Sequence, residues 1–103
     1  MLNIAVLTVD TGNSAPRAFS LSQNYPNPFN AITDIEFSLP AQADVRLEIF
    51  NMLGQKVATM VDGVLPAGYH TASWNATNEA SGVYFYRLTA GGLAKTNQMT
   101  LLK

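Results

Sequence analysis

His70 is the single histidine of the chain and the first residue to examine for chemistry. An imidazole titrates near neutrality, so it can serve as a general base or a metal ligand. A nucleophilic triad would need a serine and an acid arranged around it. No nucleophile-elbow motif occurs, and His70 lies in the alternating run YHTASWN between Tyr69 and Thr71. It reads as a partly buried strand residue. With one histidine and no cysteine, a zinc site lacks its usual three or four ligands.

The carboxylates Asp34, Glu36, Asp44, Glu48, Asp62 and Glu79 are dispersed. Asp34 and Glu36 share a strand face and are expected within reach of Arg46, an exposed cross-strand ion pair worth at most ~1 kcal/mol. As a glycosidase acid/base pair they are poor, because nothing on an exposed face raises a pKa. No D-x-D-x-D-G calcium loop is present, and Asp62-Gly63 reads as a turn. Ala90-Gly91-Gly92 precedes no helix and is no phosphate loop. Asn75-Ala76-Thr77 matches a glycosylation triplet, but loop hydrogen bonding accounts for it better. The expected protein is therefore no enzyme and carries no cofactor or metal. Tyr69 and Phe50, placed on outer faces by alternation, leave sugar stacking open. A carbohydrate-binding or spacer module attached to a hydrolase is the alternative function.

The elements that must position these residues are strands. Period-2 alternation dominates and no helical stripe occurs. ITDIEFSL (32–39) sets Ile35, Phe37 and Leu39 against Asp34, Glu36 and Ser38, and Pro40 ends it. VRLEIF (45–50) sends Val45, Leu47 and Ile49 inward and Arg46 and Glu48 outward. With KVATMV (56–61) it forms a hairpin, Gly54 supplying a positive-φ turn position. DGVLPAG (62–68) reads as a loop. YHTASWN (69–75) groups His70, Ala72 and Trp74. VYFYRLT (83–89) groups Tyr84, Tyr86 and Leu88. A tight turn then leads to LAKTNQMTLL (93–102), with Met99 and Leu101 on one face. A seventh strand is expected from Phe19–Ser22 or from LNIAVLT near the N-terminus. The fold class is all-β, an antiparallel sandwich of about seven strands.

Length and charge agree. The chain has 103 residues, room for one domain, and a net charge of −1 with only 13% charged residues. No basic patch points to nucleic acid, and no apolar run is long enough to span a membrane. Residues 1–18 read as the end of a preceding domain and a linker, and 19–103 as the main domain. The N-terminus lacks the basic start of a signal peptide; were the parent protein exported, its signal would lie upstream and Met1 would read as the start of a fragment.

Gly82-Val83-Tyr84-Phe85-Tyr86 has the G-x-Y-x-C spacing of immunoglobulin-type domains, with Tyr86 at the cysteine place and Tyr84 fitting a tyrosine corner toward Asn78–Ala80. A longer match is more specific. FSLSQNYPNPFN (19–30), IEFSLP (35–40), VRLEIFNMLGQKVATMVDG (45–63), LPAGYHTASWN (65–75), ASGVYFYRLTAGG (80–92) and KTNQMTLLK (95–103) resemble the type A C-terminal sorting domain of the type IX secretion system. That domain is itself similar to the Ig-like domain of flagellar hook-capping protein. Where the family often has Pro-Thr-Thr after the PNPFN block, this chain has Ala31-Ile32-Thr33.

The resemblance implies a non-catalytic tail on an exported cargo protein, carried through the periplasm to the cell surface or beyond. The implied partners are the upstream cargo domain, an outer-membrane translocon and a sortase-like protease, with no nucleic acid and no membrane insertion. It assigns recognition to the last strand and tail, here Lys95, Thr96, Gln98, Met99, Leu101, Leu102 and Lys103. Tyr25, Pro26, Asn27, Pro28 and Phe29 form its most diagnostic block and Gly54 and Gly68 match its turn positions, while Trp74 is read as structural from strand phase and Gly82, Tyr84 and Tyr86 from the tyrosine-corner spacing. The edge of the last strand is expected to be open to strand addition by a receptor. Residues 20–30 are expected to run as a stiff polyproline-like arm, anchored by Tyr25 and Phe29 and with Asn24, Asn27 and Asn30 bonding turn backbone without a strand partner.

Overall fold

The computed structural model describes residues 15–103, and the strand expected near the N-terminus lies outside the described residues. Seven strands follow in order: β1 (Ser20–Leu21), β2 (Ile32–Leu39), β3 (Ala43–Phe50), β4 (Lys56–Leu65), β5 (Gly68–Asn75), β6 (Gly82–Ala90) and β7 (Leu93–Leu101). They form a three-stranded sheet, β1-β2-β5, and a four-stranded sheet, β4-β3-β6-β7, with every pairing antiparallel. β1 lies beside β7 and β5 beside β4, so the two sheets stack as a sandwich. The seventh strand is the short one at Phe19–Ser22, as one of the two expectations had it.

Alternation explains which residues fill the core. Ile35, Phe37 and Leu39 of β2 and Trp74 of β5 meet Val45, Leu47 and Ile49 of β3, Tyr84, Tyr86 and Leu88 of β6, and Met99 and Leu101 of β7. Phe29 lies 5.8 Å from Trp74, ring centre to ring centre, and Trp74 meets Tyr84 edge-on at 5.3 Å. These tilted and edge-on geometries suit the ring quadrupoles, beyond the area they bury.

Several expectations are corrected. DGVLPAG is no loop through most of its length: β4 runs on to Leu65, and Asp62 and Gly63 pair with Arg46 and Val45. The hydrophobic Val64 and Leu65 continue the strand, and only Pro66 stops it. Arg46 therefore pairs with Asp62, Nε to Oδ1 at 3.8 Å. Asp34 and Glu36 lie in the other sheet, out of register with Arg46, and Asp34 instead accepts a hydrogen bond from Ser73. Glu48 is on the outer face but buried. Lys56 approaches its Oε2 at 3.4 Å and Arg87 its Oε1 at 3.7 Å, and these long side chains cover it. The ladder between β3 and β4 shifts register beside it, between Leu47 and Glu48.

Trp74→Ala removes the ring that joins Phe29 to Tyr84. We expect a loss of about 3–5 kcal/mol in urea unfolding.

Candidate functional site

β7 carries the residues expected to be recognised, and its hairpin with β6 places them. Gly91 and Gly92 take φ of +54° and +87°, the double left-handed turn that a two-residue hairpin loop requires. Register then runs without a shift from Ala90↔Leu93 to Gly82↔Leu101. This places Met99 and Leu101 in the core and Lys95, Thr96 and Gln98 on the surface. Lys95 Nζ stands 5.9 Å from the centre of the Phe19 ring. Leu102 is exposed. The Lys103 N–H donates to Ser81 Oγ at 3.0 Å and its ammonium to the Thr77 carbonyl at 2.5 Å. The seven residues thus divide: Met99 and Leu101 pack, while Lys95, Thr96, Gln98, Leu102 and Lys103 are presented.

The outer edge of β7 is only partly open. In the antiparallel ladder alternate residues turn their N–H and C=O away from β6. Phe29 N–H donates to the Thr100 carbonyl at 3.0 Å, and Leu102 N–H to the Phe29 carbonyl at 2.9 Å. The Asn27 side-chain oxygen accepts from Thr100 N–H at 3.0 Å, and the Gln23 amide donates to the Gln98 carbonyl at 2.7 Å. Residues 23–29 therefore occupy the second half of this edge. The outward groups at Ala94 and Thr96, and the Gln98 N–H, have no partner among the described residues. The edge expected to be open to strand addition is thus covered along its second half and unpartnered along its first.

The covering segment also differs from the stiff arm expected. Both Tyr25–Pro26 and Asn27–Pro28 are cis, and the chain bends at residues 26–28 between bridges at Tyr25 and Phe29. Phe29 is the anchor, 2% exposed. Tyr25 is not: the residue is 81% exposed, although its backbone bridges to Asp34. Nor is Asn27 without a strand partner, since it bonds β7. Pro26 and Pro28 are exposed, but the Pro26 carbonyl accepts from Asn24 Nδ2 at 3.1 Å and from Thr33 Oγ1 at 2.9 Å. Thr33 survives the Ala31-Ile32-Thr33 departure in this role, and Ala31 takes φ +76° beside it.

Asn24 was expected only to bond turn backbone, as it does at Pro26; its burial and its tie to Tyr86 were missed. It is buried, with its side chain donating to Thr33 Oγ1 at 2.9 Å and its N–H to the Tyr86 hydroxyl at 2.8 Å. Tyr86 donates in turn to the Ser22 carbonyl at 2.7 Å. The available signal was Tyr86 itself, because a buried tyrosine hydroxyl demands a partner. Tyr84 forms the expected corner, donating to the Ala80 carbonyl at 2.7 Å. Gly54 and Gly68 hold φ of +82° and +140°, and Gly82 stands at the start of β6 with φ +153°.

Among the described residues no side chains gather into a catalytic constellation. His70 is half-buried, stacked on Phe37 at 5.4 Å, with Nε2 2.9 Å from the Pro66 carbonyl. No group of three or more metal-ligating side chains occurs among the described residues. The Asn75 side chain closes its loop by accepting from Thr77 N–H at 3.0 Å. Of the two aromatics placed on outer faces, Phe50 is half-buried with Arg87 5.3 Å from its ring centre, whereas Tyr69 is 80% exposed.

Two predictions follow from the contacts of residues 22–29. Phe29→Ala should cost about 3–5 kcal/mol in chemical denaturation, and Asn27→Ala only about 1. The second concerns alkaline pH. Burial raises the Tyr86 pKa above 10.0, against the bonds from Asn97 and Asn24, and burial with the Glu79 charge raises that of Tyr84. A raised pKa favours the protonated folded state, so this stability is complete below about pH 10 and is lost as pH rises further. Tyr86→Phe should lower stability at neutral pH by about 1–3 kcal/mol, leaving the Ser22 carbonyl and Asn24 N–H unpaired, and should flatten the fall above pH 10.

Compared with known proteins, the chain matches the family model of the secretion system C-terminal sorting domain over residues 23–101. No curated protein matches it.

Proposed function

The chain belongs to the family of secretion system C-terminal sorting domains, and we propose that its half-open β7 edge is what the outer-membrane translocon reads. Membership of that family makes it a non-catalytic sorting domain of the type IX pathway and part of an exported protein. The proposal carries this further. The cargo lies upstream of the domain, crosses the periplasm, and is delivered to the surface, where a sortase-like protease removes the tail.

The observation that carries the proposal is the row Lys95, Thr96 and Gln98, exposed beside the unpartnered backbone of Ala94 and Thr96. An extended receptor segment can pair there by strand addition, with the lysine charge guiding approach. Leu102 and Lys103 are exposed beyond the covered half of the strand, Leu102 bonded through its N–H to Phe29 and Lys103 to Ser81 and Thr77. Met99 and Leu101 contribute by holding β7 against the core.

Export of a passenger protein fused ahead of this chain tests the proposal. In a bacterium with a type IX system, the fusion should reach the cell surface or the medium. Deleting Lys95–Lys103 should stop delivery, but it also removes two core residues. Thr96→Pro and Gln98→Pro are the sharper variants, since both N–H groups point away from β6 and neither side chain is in the core. Each should leave thermal unfolding nearly unchanged and hold the passenger in the periplasm. Undiminished delivery by both folded variants would sink the edge as the recognised feature.

A further inference from the structure

Among the described residues, β5 is the sheet edge left unguarded. Edge strands are ordinarily protected by shortness, charge, bulges, proline or a covering segment. β1 has two residues, β4 carries Lys56 and Asp62 and two register shifts, and β7 is half covered by residues 23–29. β5 has eight residues, none of them Lys, Arg, Asp, Glu or Pro, and pairs with β2 without a shift from Ile32↔Asn75 to Leu39↔Gly68.

The register says which groups are free. Asp34 and Glu36 turn their backbone away from β5, toward Tyr25 and Ser22. The β2–β5 ladder therefore runs through Thr33, Ile35, Phe37 and Leu39 to Trp74, Ala72, His70 and Gly68. The N–H and C=O of Tyr69, Thr71 and Ser73 point the other way and have no partner among the described residues.

The surroundings of this edge define what fits it. On its inner side, Ala72 of β5 and Ala58, Met60 and Val61 of β4 are only half-buried, so the sandwich is open between the two edge strands. On its outer side, β2 presents Asp34 and Glu36, and neither β2 nor β5 has a lysine or arginine. A strand added beyond β5 lies roughly 10 Å from β2, within reach of a long basic side chain.

We propose that β5 is a second strand-addition site, which takes an extended segment of a partner protein whose residues alternate between apolar and basic. The apolar residues cover Ala72, Met60 and Val61, and the basic ones lie over Thr71 and Ser73 toward Asp34 and Glu36. This site is on the opposite sheet from β7 and does not depend on how the translocon reads that strand.

Amide hydrogen exchange of the whole chain tests it, with a short synthetic peptide of alternating lysine and valine as the probe. The peptide should slow exchange at Tyr69, Thr71 and Ser73 by roughly tenfold or more. A peptide whose central lysine and valine are both N-methylated on the backbone should lose the effect whichever direction it runs, and one with glutamate for lysine should bind more weakly. Thr71→Pro should abolish the slowing while keeping the β2 ladder, whose bonds do not involve the Thr71 N–H. No slowing, slowing that survives N-methylation, or equal slowing by the glutamate peptide overturns the proposal. So does protection of these amides before peptide is added, whether sedimentation then shows a dimer or a monomer. The readout is binding rather than export, so failure here and failure of the β7 edge in secretion are told apart.

Discussion

One hydroxyl holds the two sheets and the covering segment in register. The Tyr86 oxygen lies on β6 of the four-stranded sheet, donating to the Ser22 carbonyl and accepting from the Asn24 N–H. Both partners belong to the stretch that leaves β1 of the other sheet. Buried polar groups of this kind must be matched by geometry, since each lone group would cost about 1–3 kcal/mol. The match fixes where the chain stands as it leaves β1. From there Asn24 can reach Pro26 and Thr33, Asn27 can reach Thr100, and Phe29 enters the core against Trp74.

The consequence is a sheet edge protected mainly by amide side chains and a short bridge rather than by a full strand. Gln23 and Asn27 supply a donor and an acceptor that a neighbouring strand would otherwise supply, and Phe29 adds two backbone bonds. A complete strand would close β7 to every partner. This arrangement stabilises the end nearer the core residues Met99 and Leu101 and leaves the end with Lys95 and Thr96 approachable. Stability and accessibility are divided along one strand, at Gln98.

Much of this was legible in the sequence because alternation is a strong signal. Ile35, Phe37, Ile49, Trp74, Tyr84 and Leu101 are all inside, as their phases require, and of the two large groups expected to anchor residues 20–30 Phe29 is buried while Tyr25 is not. What escaped was set by long-range pairing. Nothing local to Asn24 shows that its partner is Tyr86, sixty-two positions away. Nothing local to Glu48 shows that Arg87 and Lys56 will cover it. Turn chemistry misled at Asp62-Gly63, where pairing with β3 overrode a local preference for a turn. For the recognition surface, spacing separated Met99 and Leu101 from their exposed neighbours, but it could not reveal that residues 23–29 lie along half the edge.

The clamp between residues 23–29 and β7 joins segments at opposite ends of the domain: Gln23 bonds Gln98 across seventy-five positions. Contacts so distant close late, because the intervening chain loses its freedom before they can form. β7 is also the last of the seven strands to leave the ribosome. Until it is made, Met99 and Leu101 are missing from the core and Phe29 has no Thr100 to bond. A growing chain thus has no finished domain to hold it compact. For a sorting domain of an exported protein, the fold thus stays incomplete until its last strand is made.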